Sequence, residues 1–269
     1  MKQREKYENA LLTIRFIGED IDEQGVSIYD FASSLLSLQR IVNKAHLSIE
    51  GRLRKGAFPD KQARTRISLS IGERRRTSDA FALIPLLTDS TTLEYLKKIA
   101  DYVASGLVGY CVGDVMKRIR GENDEDKQQF IGAIHADVVN IVNRIDAAGG
   151  IAKIEIGAPN QSKPLLIEFD EGKKDYINGL ANEYYLGRNQ TIEGGVYRLY
   201  PNSLIVTIRR PRGRKVNIFL SQENFDKIRY NQGDELQVKF RGRPRYKFGI
   251  ESLTITDFEA DNIKIEGEI

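Results

Sequence analysis

Apolar positions in the first part of the chain recur with the period of a strand, then of a helix, then of strands again. Residues 11–17 are β-branched and apolar, which predicts a strand. Apolar residues then recur every three or four positions over 28–45, so a helix with one buried face is expected after the cap residue Ser27. Alternation over 66–71 predicts a half-buried strand, with 81–86 as its partner.

Longer periodic stretches follow a charged segment. Residues 52–64 contain Gly56 and Pro59 within a run of charges, so a basic loop is expected there. Capping patterns and helix-terminating glycines then predict two long central helices, two strands and a third helix. In chain order these are helices over 93–120 and 124–147, strands over 151–156 and 165–169, and a helix over 173–185.

The pattern changes near Gly187 to short strands separated by turn residues, with one short helix capped by Ser221. Five such strands are typical of a small closed barrel of the OB or SH3 type. The predicted strands cover 191–200, 204–210, 215–220, 235–240 and 246–258. The sequence thus predicts an α+β protein, with an α+β domain over 1–187 and a small basic β-barrel with an acidic tail over 188–269.

A net charge of +3 hides a strong segregation of charge along the chain. Residues 52–76 contain nine Lys and Arg against two Asp and Glu, and residues 188–250 contain 14 against five. Residues 77–187 are acidic, with 11 Lys and Arg against 17 Asp and Glu, and the tail 251–269 has one Lys against six Asp and Glu. Two basic segments in an otherwise acidic chain indicate contact with a polyanion, although Lys and Arg also protect strand edges from aggregation.

Two basic clusters in the predicted barrel supply candidate nucleic-acid-binding residues. One lies in a hairpin turn, and the other has cations at every second position. These cations would share one face if the segment is extended, or would crowd at one tip if Gly242 and Pro244 form a turn. Such cations displace counterions from phosphates, and aromatic residues such as Tyr197 and Tyr200 can stack on unpaired bases. The barrel candidates are Arg209, Arg210, Arg212, Arg214, Lys215, Lys239, Arg241, Arg243, Arg245 and Lys247, with Tyr246 as the stacking residue.

The N-terminal basic segment supplies a further group of candidates. Arg74, Arg75 and Arg76 are consecutive in a predicted turn, from which their side chains would reach a nucleic-acid backbone. The alternative is that such loops meet the acidic segment 77–187 of a neighbouring copy, which would produce self-assembly.

The first long helix is rich in small residues, which allow a second helix to approach closely in the core or at a subunit interface. The interface candidates are Gly106, Gly109 and Gly113. Its apolar run is shorter than a bilayer requires, so no stable membrane span is expected.

One short arrangement resembles a catalytic element. Glu171-Gly-Lys173, with Glu168 and Asp170 beside it, is similar to the acidic-x-Lys element of Mg²⁺-dependent nucleases. The helix macrodipole also explains acidic residues at this position, so a nuclease is the less favoured alternative. The sequence contains no P-loop, Rossmann or hydrolase motif, which predicts a protein that is not an enzyme and uses no cofactor. The first 16 residues lack the apolar stretch of a secretory signal, so a cytoplasmic location is expected.

Two parts of the chain resemble known proteins. The strand at 11–17, Gly25-Val-Ser-Ile28, the helix over 31–45 and the strand at 67–71 together resemble uncharacterised bacterial proteins associated with anti-phage defence loci. Gly195-Val-Tyr-Arg198, Val216-Asn-Ile-Phe-Leu-Ser221 and Gly233-Asp-Glu-Leu-Gln-Val238 are similar to small five-stranded OB-like barrels fused to many bacterial proteins. The resemblance implies a bacterial setting and a defence role, and it brings no catalytic residues.

Together these features predict a non-enzymatic protein that binds the backbone of DNA or RNA with little sequence specificity. The resemblance extends this to a sensor or scaffold subunit of an anti-phage system, for which a homo-oligomer and an effector protein are the expected partners. The alternative function is a self-assembling structural subunit that holds an effector.

Overall fold

The computed structural model describes residues 10–19, 21, 25–54, 56–74, 79–86, 89–122, 124–159, 165–231, 236–248 and 255–265. The chain divides into two compact units. Unit 1 is Met1–Glu183 with Phe248–Glu251, and unit 2 is Tyr184–Lys247 with Ser252–Ile269. The predicted boundary is near Gly187, and this division falls between Glu183 and Tyr184. Helices and two sheets occur among the described residues, which confirms the α+β class.

The sheet of unit 1 has five described strands in the order β2-β3-β1-β4-β5, and all neighbours are antiparallel. These strands are β1 (Leu12–Ile17), β2 (Leu69–Arg74), β3 (Asp79–Pro85), β4 (Lys153–Ala158) and β5 (Leu165–Phe169). The central strand β1 is buried at alternate positions, including Leu12, Ile14 and Phe16, as expected for the hydrophobic run that predicted it.

The described helices of unit 1 are α1 (Ile28–Ile49), α2 (Lys61–Ile67), α3 (Ser90–Cys111), α4 (Val115–Gly121), α5 (Glu125–Ala133), α6 (His135–Val142) and α7 (Glu171–Gly179). Helix α1 begins after Ser27, whose side chain accepts a hydrogen bond from the Asp30 amide at 3.1 Å. Leu38, Val42 and Ala45 of its apolar stripe are buried, whereas Ile28 in the first turn is 86% exposed. This helix confirms the predicted cap, and it confirms the predicted buried face beyond the first turn.

The predicted basic loop over 52–64 is wrong at its end, because helix α2 starts inside it. Asp60 caps this helix by accepting a hydrogen bond from the Ala63 amide at 2.8 Å. Gly56 and Pro59 come before the helix and therefore do not interrupt it. The following strand consequently begins at Leu69, later than predicted.

The predicted long helices are also divided. The first ends at Cys111 because Gly113 adopts a φ of 69° in a left-handed turn, and α4 follows as a separate helix. The second is split at Ile134 into α5 and α6 and ends at Val142. The third stops at Gly179, and a 3-10 turn over Leu180–Asn182 followed by a strand from Tyr184 replaces the rest of the predicted helix.

The interface glycines have their close packing partners inside unit 1. A Cβ atom on Gly106 would lie 2.5 Å from Cε1 of Phe130 on α5, and one on Gly109 would lie 3.0 Å from Cδ of Arg118 on α4. Both glycines are buried, and Gly113 belongs to the turn after α3. Their small size therefore serves helix packing within this unit, which leaves Gly106 and Gly109 inaccessible to a second subunit.

Unit 2 contains a sheet in the order β11-β9-β8-β7-β10-β6, with an additional pairing between β10 and β11. Its described elements are β6 (Tyr184–Leu186), β7 (Gln190–Tyr200), β8 (Ile205–Arg209), β9 (Lys215–Phe219), α8 (Gln222–Tyr230), β10 (Gln237–Lys247) and β11 (Asp257–Ile265). Strands β9 and β11 are parallel, and the other neighbours are antiparallel. Each of β7 to β11 therefore has at least two hydrogen-bonded neighbours, and β10 has three, around a core that includes Ile208, Ile218, Phe240 and Phe258.

Two strands of unit 2 differ from the prediction. Strand β10 continues through Gly242 and Pro244, where the sequence predicted a break between two strands. Strand β11 covers residues that were predicted partly as strand and partly as an acidic tail, and 249–254 lie outside the described residues. Gly242 marks a bulge in the β10–β11 ladder, where a Cβ atom would lie 2.0 Å from the Glu259 carbonyl oxygen.

Replacement of Gly242 by alanine is expected to weaken the β10–β11 ladder. The added methyl group would meet backbone atoms, which cannot move aside as a flexible side chain does. The free energy of unfolding is therefore expected to fall by about 2 kcal/mol or more. Amide hydrogen exchange should become faster in β10 and β11. Gly195→Ala is the matched control, because its new Cβ would meet only the end of the Gln237 side chain, at 3.1 Å. Equal exchange in both variants would contradict the proposed clash.

His135 is a buried polar residue of unit 1. It is 1% exposed, and neither ring nitrogen has a hydrogen-bond partner among the residues that the structure describes. The ring stacks on Tyr110 with centroids 5.8 Å apart and meets the Phe248 ring edge-on at 5.2 Å. Burial lowers the pKa of His135 from 6.5 to about 4, because the charged form would lose its hydration among these rings.

His135 should make the stability of the protein depend on pH. The unfolded chain protonates this residue near pH 6.5 and the folded chain only near pH 4, so the unfolded state binds more protons between these values. The free energy of unfolding should therefore fall as the pH drops through this window, by up to about 3 kcal/mol. Urea unfolding followed by circular dichroism measures this loss.

The variants His135→Leu and His135→Gln separate this effect from other titrations. Both lack the ionising ring and retain His46, the other histidine of the chain. We expect each variant to show a smaller loss of stability over the same pH range. A loss as large as in the unchanged protein would assign the pH dependence to other groups.

Candidate nucleic-acid interface

The cations of β10 share one face, because the strand is extended throughout. Val238, Phe240 and Pro244 are buried at alternate positions, and the intervening cations are exposed or half-buried. These cations are Lys239, Arg241, Arg243, Arg245 and Lys247. The geometry is that of an outward row along the strand.

Three cations of this row are used inside unit 2. Lys239 lies 3.8 Å from a carboxylate oxygen of Glu193, and the Arg243 Nε donates a hydrogen bond to the Gly187 carbonyl at 2.9 Å. The Arg245 guanidinium lies over the rings of Tyr184 and Phe219, at 3.7 and 4.1 Å from their centroids. These contacts link β10 to neighbouring elements.

Arg245 also approaches the Glu259 carboxylate at 3.9 Å. For Arg241 and Lys247, which are exposed, no partner is found within the described part of the chain. Much of the β10 row is therefore structural, and only part of its charge is available to a ligand.

Tyr246 is not placed to stack on a base. It is only 9% exposed and packs against Tyr185, with ring centroids 5.5 Å apart. Burial raises the pKa of both phenols. Tyr246 lies at the opposite parity from the arginines of the same strand, so its inward position follows from the extended geometry that exposes them.

The β8–β9 hairpin brings two cations together around a tyrosine. Arg209 and Lys215 are directly opposite each other in the antiparallel ladder. The Arg209 guanidinium lies 4.9 Å and the Lys215 ammonium 3.9 Å from the centroid of the Tyr197 ring. Arg210 and Arg214 lie in the connecting turn, where the Arg210 amide donates to the Arg214 carbonyl at 2.8 Å. The turn Pro211–Gly213 includes Arg212, whose side chain lies outside the description.

A bulge in β7 exposes Tyr197 and Arg198 next to each other. The register with β8 shifts between Val196 and Arg198, so Tyr197 is the extra residue. In a regular strand consecutive side chains point to opposite faces, whereas here both are exposed. Arg198 in turn donates a hydrogen bond to the Tyr200 hydroxyl at 3.3 Å, and its guanidinium lies 5.6 Å from the Tyr200 ring centroid.

These five residues form one exposed group, called here the Tyr197 face: Tyr197, Arg198, Tyr200, Arg209 and Lys215. The two rings are 48% and 40% exposed, so their surfaces are accessible to a ligand. Sequence reasoning named the two tyrosines only as nearby aromatics and did not select Arg198. The feature of the sequence that could have indicated this bulge is the glycine pair Gly194-Gly195, which permits a close approach of the strands before it.

A depression of about 380 Å³ adjoins this face through Arg209. It is lined by Glu193, Gly194, Arg209, Arg210, Pro211, Gln237 and Val238. A Cβ atom on Gly194 would lie 2.7 Å from the Arg209 carbonyl oxygen, so this position is restricted to glycine. The two arginines and Gln237 give the depression donors suited to phosphate oxygens.

The N-terminal arginines are only partly described. Arg74 ends β2 and pairs with Phe81 in the ladder, but its side chain lies outside the description, as do Arg75 and Arg76 altogether. They therefore remain candidates from the sequence alone.

The acidic side chains near the start of α7 each have an ion-pair or hydrogen-bond partner in unit 1. Glu168 pairs with Lys153 at 3.0 Å and Glu171 pairs with Lys174 at 3.0 Å. The Asp170 side chain accepts the Lys173 amide at 2.9 Å, and this hydrogen bond lowers its pKa. Among the described residues no group of three or more potential ligands is arranged to hold a metal ion. The acidic-x-Lys element thus serves as a helix cap and as surface ion pairs.

Comparisons with known proteins add no assignment. No family model, curated protein or solved structure matches the chain significantly. In the part of the chain that the structure describes, no helix combines the length and the apolar character needed to cross a membrane.

The pKa of Tyr197 provides a direct test of this geometry. A hydrogen bond from Lys215 and the charges of Lys215, Arg209 and Arg198 lower this pKa below 10. The variant Lys215→Gln should therefore raise it, as measured by NMR titration of ¹³C-labelled tyrosine. Lys227→Gln on α8 removes an equal charge and should leave it unchanged. An unaltered Tyr197 pKa in Lys215→Gln would show that the two side chains do not interact.

Proposed function

We propose that the protein binds single-stranded nucleic acid through the Tyr197 face of an OB-like barrel in unit 2. The neighbour order of β7 to β11, the parallel β9–β11 pair and the position of α8 between β9 and β10 support an OB-like arrangement. In such barrels the face of the second and third strands binds oligonucleotides. Here these strands are β8 and β9, which carry Arg209 and Lys215.

The observation that carries the proposal is the placement of two like charges opposite each other around an exposed aromatic ring. Like charges directly opposite in an antiparallel ladder are destabilising. Protection of a strand edge does not explain this pair, because β8 and β9 each have a hydrogen-bonded neighbour on both sides. A phosphate between Arg209 and Lys215 would offset their repulsion and form charge-assisted hydrogen bonds with both.

The exposed tyrosines favour a single strand over a duplex. A base can stack on Tyr197 or Tyr200 only if it is free of its own partner. Arg198, Arg209 and Lys215 are then within reach of the adjoining phosphates. Neither stacking nor phosphate contact distinguishes one base from another, so binding is backbone-led with little sequence specificity.

The cellular role proposed is a sensor or scaffold subunit of a bacterial anti-phage system in the cytoplasm, without catalytic activity of its own. This part rests on the sequence resemblance of the N-terminal third. A homo-oligomer and an effector protein are the partners that such a role requires.

Salt-dependent binding tests the proposed face. A fluorescent single strand of about 15 nucleotides, as DNA and as RNA, is titrated with the protein at several salt concentrations. The double variant Arg209→Gln/Lys215→Gln should bind about tenfold more weakly and reduce the slope of log K against log salt by about 1.4. Tyr197→Ala should lower the affinity about tenfold with little change of slope, because it removes stacking and no charge.

The matched controls lie on helix α8 of the same unit. Lys227→Gln/Arg229→Gln removes two exposed cations, and Tyr230→Ala removes a tyrosine that is 79% exposed. Both should bind as the unchanged protein does. If the Tyr197-face variants keep the original affinity and slope, the proposal is wrong. An oligomer that dissociates in salt and binds no nucleic acid would favour the assembly function.

A further inference from the structure

Unit 1 contains a groove that the proposed function does not use. It has a volume of about 580 Å³ and lies between α2 and the first turn of α3. Its lining consists of Lys61, Gln62, Thr65, Arg66 and Thr92. All five side chains carry hydrogen-bonding groups and none is acidic, and the volume is within the range of small-molecule sites.

Arg66 is held in place at one side of the groove. Its Nε donates a hydrogen bond to the Thr92 hydroxyl at 3.3 Å, and its guanidinium lies 5.3 Å from the centroid of the Tyr95 ring. Its terminal amino groups have no acceptor among the described residues. A fixed guanidinium with unused donors is suited to paired hydrogen bonds with two phosphate oxygens.

The tyrosine under this arginine is itself fixed by hydrogen bonds. The Tyr95 hydroxyl lies 2.7 Å from Nδ1 of His46 and donates to a carboxylate oxygen of Glu50 at 3.2 Å. Burial raises the pKa of Tyr95 to about 12, so it remains a neutral phenol at physiological pH. These hydrogen bonds between α1 and α3 hold the Tyr95 ring beneath Arg66 in place before a ligand binds.

An exposed aromatic ring contacts a further cation of α2, the helix that forms one side of the groove. Phe58 is 60% exposed, and the Arg64 guanidinium lies 5.3 Å from its ring centroid. Lys61 and Arg64 are exposed on α2, and residues 52–76 contain nine Lys and Arg against two Asp and Glu. An aromatic surface next to fixed cations is the combination that binds a base together with its phosphate.

The acidic groups near the groove are already engaged as helix caps. Asp60 accepts the Ala63 amide at 2.8 Å and Asp89 accepts the Thr92 amide at 2.9 Å. The pKa of each carboxyl is lowered, with these hydrogen bonds among the principal causes. Because Asp89 already occupies the amino end of α3, an anion in the groove depends on Lys61 and Arg66 and not on this helix end.

We propose that the groove between α2 and α3 is a second binding site, which takes the phosphate of a nucleotide on Lys61 and Arg66 with the base directed toward Phe58. The nucleotide is either free or part of a strand. The site belongs to unit 1 and does not depend on the Tyr197 face.

The test uses the full chain with the Tyr197 face disabled by Tyr197→Ala/Arg209→Gln/Lys215→Gln. Binding of inorganic phosphate, AMP and a fluorescent single strand of about 15 nucleotides is then measured in this background. Lys61→Gln/Arg66→Gln should lower the remaining affinity for AMP or for the strand about tenfold, and the salt slope for the strand by about 1.4. Arg40→Gln/Lys117→Gln removes an exposed arginine and an exposed lysine elsewhere in unit 1 and should have no effect.

Two further variants separate binding from folding. Lys61→Gln changes only an exposed side chain and should weaken binding by itself. Arg66→Lys keeps the charge but loses the paired donors, so it should bind more weakly than the background protein and more strongly than Arg66→Gln.

The outcomes distinguish the two ligand sources and the two proposals. Binding of AMP assigns a free nucleotide, and binding of the strand without AMP assigns a polymer. Binding of inorganic phosphate alone, or equal binding by the groove variants and the control, would overturn the groove site. Loss of all binding on disabling the Tyr197 face would also overturn it and leave the first proposal standing. Residual binding that only the groove variants abolish would support the groove even if the Tyr197 face proved inactive.

Discussion

The two-residue period of extended strands is the constraint on which the charged surface of unit 2 depends. Val238, Phe240 and Phe258 must enter the core, and their burial fixes which neighbouring positions of β10 and β11 face outward. In β10 those outward positions are all Lys or Arg, apart from the first. Hydrophobic burial therefore determines where the charge lies, and the sheet register determines which partners each charge meets.

These partners divide the cations of unit 2 into two groups. Lys239, Arg243 and Arg245 meet a carboxylate, a carbonyl or two aromatic rings, so each has a role in holding neighbouring strands together. Arg209 and Lys215 instead meet each other and the exposed Tyr197. The candidate surface thus shifts from the longest basic run to the hairpin, which a count of charges along the sequence does not distinguish.

Strong local signals predicted the elements that depend on one segment alone. Strand β1 and helix α1 follow from a hydrophobic run and from a cap with a buried stripe. Pro244 indicated a break because proline cannot donate to a ladder, yet the strand continues through it. Strand β11 was partly hidden because acidic residues alternate with Phe258 and Ala260, and its place is fixed by long-range pairing with β9 and β10.

The positions of the candidate site residues were likewise predicted correctly only where one segment of the sequence determines them. The sequence identified the hairpin arginines, but the selection of Tyr246 overlooked that its parity in β10 turns it into the core. Arg198 was missed because its exposure beside Tyr197 results from a register shift between β7 and β8. In unit 1, Arg66 and Tyr95 are distant in sequence and meet only when α2 packs near α3. A local sequence pattern identifies candidate residue types, whereas these contacts depend on how distant strands and helices pair.

The relative strength of the contacts bears on the proposed binding of a ligand by the Tyr197 face. A cation over an exposed aromatic ring contributes about 0.5–1 kcal/mol. A charge-assisted hydrogen bond contributes about 1.5–3 kcal/mol, so a phosphate competes well for Arg209 and Lys215. Arg245 lies against two rings and near a carboxylate, all of which it would have to leave. A nucleic-acid strand is therefore expected to engage the weakly held cations first and to leave the strongly held ones in place.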